Sequence, residues 1–275
     1  VCSSDLNINI NRHILLPAAS LFALLLGGGC SKSPSPAPDD PQKGAIAFDC
    51  TVSPEVAVVA DGTKAGATRT LPASCLPAPE QMKLKLKLVD PDKTFEMTYE
   101  SMVDYDQPLL DPGSYTAGFS YGDPAEEGPD AAYFVGSTTC TIVARKTITQ
   151  QVSHTLANAL YTLHLSDWFK NYYTSYNLTV STESGYQSGH TLVPDTNPTP
   201  IFVRPNTKLY LSGKATKTNG VEVEFPKTEI GVTAARTWHS IEIDAGSAGQ
   251  ASLDLRFDDT PTTVETREIE LNPEA

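Results

Sequence analysis

The side chains of this 275-residue chain with chemistry to offer are five histidines, five cysteines, clustered acids and one dense group of aromatics. His154 and His164 stand ten apart in strand-like sequence, an even separation that would put both on one face if the strand ran unbroken. Neither has the HxH or HExxH spacing of a zinc site, so isolated or hydrogen-bonded histidines are expected there and at His190 and His239. Asp104, Asp106 and Asp111, and later Asp254, Asp258 and Asp259, could offer oxygens to calcium, which takes about six to eight such donors. The full Asp-rich loop with its distal Glu is missing, and turn-forming aspartates are the expectation. Glu126 and Glu127 pair two carboxylates, but they lie in a Pro/Gly loop, whereas glycoside hydrolysis needs two acids on separate rigid elements. No serine is singled out beside a plausible His and Asp. The chain is therefore expected to be no enzyme, and to hold no metal and no cofactor. Trp168, Phe169, Tyr172, Tyr173 and Tyr176 could stack on sugar faces or fill a protein interface. Most of these rings are expected in core or interdomain packing, yet the group is the best binding patch the sequence offers.

Cys30 is the cysteine with a defined chemistry. Arg12 and His13 precede an apolar run from Ile14 to Leu26, and Gly27, Gly28 and Gly29 separate that run from Cys30. This is the order of a secretory signal, and a run this short falls below the roughly 20 residues needed to span hydrocarbon. A cysteine directly after a small-residue stretch resembles the bacterial lipobox, in which the new N-terminal Cys carries a thioether-linked diacylglycerol. Leucine usually sits three residues before that cysteine; here Gly27 does, and Leu26 is one place further back. The following residues 31–41 are rich in Ser and Pro, an extended tether that cannot pack. Residues 1–29 are thus read as an adapter-like leader plus lipoprotein signal peptide, and 30–44 as lipidated Cys and tether. Of the other cysteines, Cys50 could bridge to Cys75, or Cys50, Cys75 and Cys140 could all be small buried residues.

These groups need a scaffold, and the sequence describes a β one. From Gly44 onward, short alternating apolar runs are broken by Gly, Pro, Asn and Asp at intervals of roughly ten residues, as in sandwiches and barrels. In Met82-Lys83-Leu84-Lys85-Leu86-Lys87-Leu88, period two sends the apolar residues to one face and the lysines to the other. Further strands are expected at 45–52, 55–60, 94–100, 114–121, 133–148, 154–165, 176–182, 207–213, 221–225, 238–244, 251–257 and 263–271. The segment from Ser166 to Tyr173 lacks alternation, and Ser166 or Asp167 could cap one short helix between strands. A composition break near Gln150 suggests two tandem antiparallel β-sandwich domains, 45–150 and 151–275. The 33 acidic against 20 basic residues give a formal charge of -13, which excludes phosphate backbones as partners.

Three ordered pieces carry a resemblance: Leu110-Asp111-Pro112-Gly113-Ser114-Tyr115-Thr116-Ala117, then Ala132-Tyr133-Phe134-Val135-Gly136, then Thr155-Leu156-Ala157-Asn158-Ala159-Leu160-Tyr161 leading to Phe169-Lys170-Asn171-Tyr172-Tyr173-Thr174-Ser175-Tyr176. Over roughly residues 45 to 270 the chain resembles the domain-of-unknown-function family numbered 4493, lipoproteins of Gram-negative gut anaerobes. His154-Thr155 stands where that family usually has Cys or another small residue. The family is similar to fimbrillin-type surface proteins, so the resemblance implies a structural or adhesive role with no catalytic residues. The expectation is a fimbrillin-like lipoprotein of the outer membrane or cell surface, held through its N-terminal lipid and able to meet other surface subunits or glycans. The alternative is a glycan-binding accessory protein of a polysaccharide-utilisation system.

Overall fold

The computed structural model describes residues 40–57, 68–191, 199–245, 252–257 and 267–270. Cys30, the apolar run at 14–26 and most of the tether lie outside the described residues. Among the described residues no helix is long and apolar enough to cross a membrane.

The chain enters as β1 (Ala45–Val52), followed by a small hairpin of β2 (Glu55–Ala57) and β3 (Thr68–Thr70). Next come β4 (Lys83–Leu88), β5 (Glu96–Tyr99), β6 (Gly113–Tyr121), β7 (Phe134–Ile142) and β8 (Thr147–Leu156). These build a six-stranded sheet in the order β1-β8-β7-β6-β4-β5. The alternation of β4 works as expected: Met82, Leu84 and Leu86 are fully buried while Lys83, Lys85 and Lys87 face solvent. Each such buried side chain stabilises the fold by about 1.5–3 kcal/mol. The buried face packs against Val56 of the hairpin, Leu71 and Tyr105. Two tyrosines close it with backbone bonds. The Tyr105 hydroxyl donates to the Ile46 carbonyl (2.9 Å), and the Tyr115 hydroxyl donates to the Asp111 carbonyl four residues upstream (3.0 Å). A buried hydroxyl left without a partner would cost about 1–3 kcal/mol.

The remaining elements are β9 (Ala159–Leu165), α1 (Asp167–Tyr172), β10 (Tyr173–Thr182), β11 (Gln187–Thr191), β12 (Ile201–Val203), β13 (Lys208–Lys217), β14 (Glu222–Val232), β15 (Trp238–Ala245), β16 (Ser252–Phe257) and β17 (Arg267–Glu270). A four-stranded sheet, β11-β10-β13-β14, shares one core with a five-stranded sheet, β12-β9-β15-β16-β17. Leu178, Val180, Leu209 and Leu211 from the first of these meet Tyr161, Val203, Ile241 and Ile243 from the second. This is a mainly β protein with one short helix. Among the described residues strand pairing is antiparallel except at two places, where β1 joins β8 and β9 joins β15 in parallel.

Two expected strands are each divided. The run 133–148 is split by a turn at 143–146, where Arg145 adopts φ +63°. The run 154–165 is split at Ala157–Asn158, where the chain leaves one sheet for the other. There Asn158 is buried, its amide donates to the Ala131 carbonyl (2.8 Å), and its side-chain oxygen accepts the Tyr133 N–H (3.3 Å). β8 runs through Gln150 and Gln151 without a break, so the chain stays in the first sheet until Leu156. The short strands β3, β11 and β12 were not expected from the sequence.

Candidate functional site

The aromatic group is built around α1. Ser166 caps it, accepting the Phe169 N–H on its hydroxyl (3.0 Å), while that hydroxyl also bonds the Asp244 carboxylate and the Ser166 N–H reaches the Ile243 carbonyl (2.9 Å). One residue thus satisfies the helix start and fastens it to β15. With the helix fixed, Phe169 points inward and is fully buried, 4.7 Å from the Tyr173 ring and 5.5 Å from that of Tyr176. Tyr173 in turn stacks edge-on with Phe225 of β14 at 5.9 Å. Burial, then the neighbouring Tyr172, pushes the Tyr173 hydroxyl up to about 12. Tyr172 is half-buried beneath the Lys217 ammonium, 5.7 Å from its ring centre. Trp168 alone of the five turns outward, 69% exposed. The structure therefore brings the five residues together as a packing cluster with one ring offered to solvent.

The other candidates separate. His154 is buried in β8 and His164 is exposed on β9, with the break at 157–158 between them. His190 is described in backbone only, in β11. His239 is buried, and its Nε2 accepts the Ala234 N–H at 3.1 Å. Among the described residues no three His, Cys, Asp or Glu side chains gather to hold a metal. Asp106 accepts the Tyr99 hydroxyl at 3.3 Å, Asp104 and Asp111 are exposed, and Asp258 and Asp259 lie outside the described residues. Cys50, Cys75 and Cys140 are thiols, so Cys50 and Cys75 are not bridged. Cys75 lines a cleft of about 190 Å³ with Leu76, Tyr121, Asp130, Ala132 and Phe202, beside the first core. Burial raises its pKa most, the Ser74 hydrogen bond lowers it and the Asp130 charge raises it again, so the thiol stays protonated and a poor nucleophile.

Two features escaped sequence reasoning. Gly118-Phe119-Ser120-Tyr121-Gly122 fits the letter pattern of a nucleophile elbow. Ser120, however, lies within β6, paired with Lys83 on one side and Val135 on the other, and not on a strand-to-helix turn. The second is Glu127, which the sequence offers only as half of a carboxylate pair. Its Oε1 accepts the Arg204 N–H (3.0 Å), and its Oε2 accepts hydroxyls from Thr182 (2.9 Å) and Ser184. Gly128 and Phe202 exchange two backbone bonds of 2.9 Å beside it, and the Arg204 guanidinium donates to the Ala125 carbonyl (3.1 Å). The β6–β7 loop thereby ties the first sheet to β10 and β12. Only the Gly and Pro around Glu127 were visible in advance, and they mark a loop without saying where it docks.

Two β cores, a clamped connecting loop and a short aromatic helix define a mainly β protein with no assembled reactive group among the described residues. Residues 42–273 match the family described as Domain of unknown function (DUF4493), and the chain belongs to that family. No curated protein matches the chain. Among solved structures it is similar to a candidate cell adhesion protein from Bacteroides ovatus ATCC 8483 (10% identity, TM-score 0.40, 87% of this chain and 100% of that one). It is also similar to a fimbrial assembly protein from Parabacteroides distasonis ATCC 8503 (10%, 0.40, 78% and 95%). A third is a candidate polysaccharide-binding protein from Bacteroides thetaiotaomicron VPI-5482 (10%, 0.39, 84% and 99%).

Proposed function

We propose that the chain is a cell-envelope lipoprotein, held to the outer membrane by diacylglycerol on Cys30, whose β body has a non-catalytic structural or adhesive role at the cell surface. The observation that carries this reading is the order of signal, Cys30 and Pro/Ser tether ahead of an all-β body. The body is taken as two tandem β-sandwich domains, in keeping with two buried clusters, with Leu160, Phe202 and Trp238 of the five-stranded sheet packing into the first of them. The clamp at Glu127 suits a part that must transmit force from an anchor to a distant contact. Replacing Cys30 with Ser should move the protein from the membrane pellet to the soluble fraction, because a single weak signal holds poorly and the acidic body is repelled by anionic head groups. Retention of Cys30→Ser in the pellet through a high-salt wash would overturn the lipid anchor. Immunogold label on intact cells is the expected result for surface display; label appearing only after lysis would overturn it.

A second reading, a glycan-binding accessory protein, is favoured by the exposed Trp168 ring, an amphipathic surface on which a sugar face can stack. Binding on a glycan array that is lost in Trp168→Ala supports it; binding unchanged in that variant removes the aromatic group from consideration.

A further inference from the structure

Among the described residues, three of the four exposed large apolar side chains of the first half gather at one end of its sheet, the fourth being Val103 in the turn after β5. Leu88 pairs with Tyr115 and Gly113 with Ile142, so the end of β4, the start of β6 and the end of β7 lie at one end of the sheet. Ala45 pairs with Thr147, which brings the start of β1 and of β8 to the same end. Val89, Leu109 and Val143 stand there 57%, 41% and 44% exposed. The chain coming from the tether is sewn between them. Gly44 and Leu110 exchange two backbone bonds (2.9 and 2.8 Å), and the Arg145 N–H donates to the Lys43 carbonyl (2.8 Å). Val89 is held to the same end by its N–H on the Ser114 carbonyl (2.8 Å).

We propose that this end of the first sheet rests on the lipid layer that holds the acyl chains of Cys30, so that the second core is carried outward from the membrane. The inference rests on the lipoprotein reading. Nine residues, hence ten steps of the chain, separate Cys30 from Asp40, and a Pro-rich chain extends by about 3.1 Å per residue, so the tether can hold this end no further than roughly 30 Å from the surface. Charge points the same way. Lys43, Lys93, Arg145 and Lys146 sit at this end with Asp40, Asp90, Asp92 and Asp111, a balanced set in a chain whose formal charge is -13. The acidic excess is therefore elsewhere, and this is the end that anionic head groups repel least. Asp40 and Asp90 are turned into their own loops, accepting the Gln42 and Asp92 N–H groups (2.8 and 2.9 Å), while Arg145 forms the exposed tip of the β7–β8 turn. β8 begins at this end and leads at Leu156 to the second core, which fixes that core at the opposite end of the first sheet.

The test compares lipidated full-length protein in phosphatidylethanolamine/phosphatidylglycerol vesicles with Cys30→Ser in solution, reading amide hydrogen exchange. Exchange at 107–111 and 143–146 should slow several-fold on vesicles, with no change at the β13–β14 turn, 218–221. The triple variant Val89→Asp, Leu109→Asp, Val143→Asp should still sediment with vesicles but lose the slowing, and Arg145→Glu with Lys146→Glu should reduce it. Exchange at both segments equal to that of the soluble protein, in sample that does sediment, would overturn the proposal and leave the anchor standing. Slowing that appears in Cys30→Ser without vesicles as concentration rises would assign the surface to a second copy and overturn it too. Failure of the wild type to sediment would remove the lipoprotein reading, and the proposal with it.

Discussion

Each half of the molecule adds one strand in parallel to an otherwise antiparallel sheet, and each buries a histidine on that seam, but the two imidazoles are treated differently. His154 on β8 lies across from Val52 of β1, its ring 5.0 Å from that of Phe119. Gly136 makes room for it: a Cβ there would come within 2.5 Å of the imidazole Cδ2. The Thr51 backbone is near enough to favour a charged ring, yet both ring nitrogens lie buried without hydrogen-bond geometry, and burial wins and lowers the pKa. His239 on β15 lies across from Tyr161 of β9 and accepts the Ala234 N–H, which requires an unprotonated Nε2. The loop it holds is already bonded, since the Thr233 hydroxyl donates to the Arg204 carbonyl (2.7 Å) and accepts the Thr207 N–H (3.0 Å). One histidine serves as shape and the other as a hydrogen-bond acceptor, and both work only while neutral.

The largest expected effect asks whether the two halves are energetically separate. Phe169→Ala empties a fully buried site of the second core and should cost about 3–5 kcal/mol. Because the loop at Glu127 and Gly128 and the Arg69–Trp238 contact (5.6 Å) join the halves, calorimetry should show one transition moving down as a unit. A first-half transition left at its wild-type temperature would break that coupling.

Acid should strike both seams. Burial lowers His239 to about 4, so between roughly pH 6.5 and 4 the unfolded chain binds a proton that the folded chain refuses. Stability from this group is full above about 6.5 and is lost as the pH falls through that window, by about 3 kcal/mol at most. His154 adds to the loss with the same sign. In His239→Gln, whose amide oxygen can still accept from Ala234, urea midpoints should fall less steeply with acid than in wild type. An unchanged slope would mean that the second seam does not control acid sensitivity.

Glu127→Ala should cost about 2 kcal/mol, the order expected for hydrogen bonds to a charged group, and should let the single transition separate into two. If the transition stays single, the coupling runs through the Gly128–Phe202 bonds and the Trp238 contact instead.

How much of this was legible in the sequence follows from what kind of interaction decided it. Alternation placed β4, with its fully buried Leu84 and Leu86, and the Ser166 cap placed α1, because both are set by residues within a few positions of one another. The parallel seams were not legible, since β1 reaches β8 and β9 reaches β15 across most of a domain's length. Nor was the break at Ala157–Asn158, because alternation reports which side a residue faces and not which sheet it faces from. β12, only three residues long, is a strand through its pairing with β9. The aromatic group carried no such signal. Tyr173 and Tyr176 lie in β10 beyond the end of α1, and Trp168 stands a helical i,i+4 step from the half-buried Tyr172, so spacing alone does not separate the exposed ring from the buried ones.

Trp168 yields the smallest expected effect on stability. Trp168 and Phe169 are neighbours of similar chemistry on one short helix, yet one is 69% exposed and the other fully buried. Truncating Trp168 leaves no cavity and removes none of the bonds that fasten α1, which belong to Ser166, Phe169 and Asp244. Alanine is also the better helix former. Trp168→Ala should therefore change unfolding free energy by less than about 0.5 kcal/mol, about a tenth of the Phe169→Ala loss. Chemical denaturation of the two variants side by side measures the contrast. A loss above about 1 kcal/mol at Trp168 would mean that the ring packs on the body, and the glycan-array comparison would then lose its meaning, since lost binding would report a damaged fold. A neutral result makes Trp168→Ala a clean probe, because any binding it abolishes must have used the exposed face of that ring.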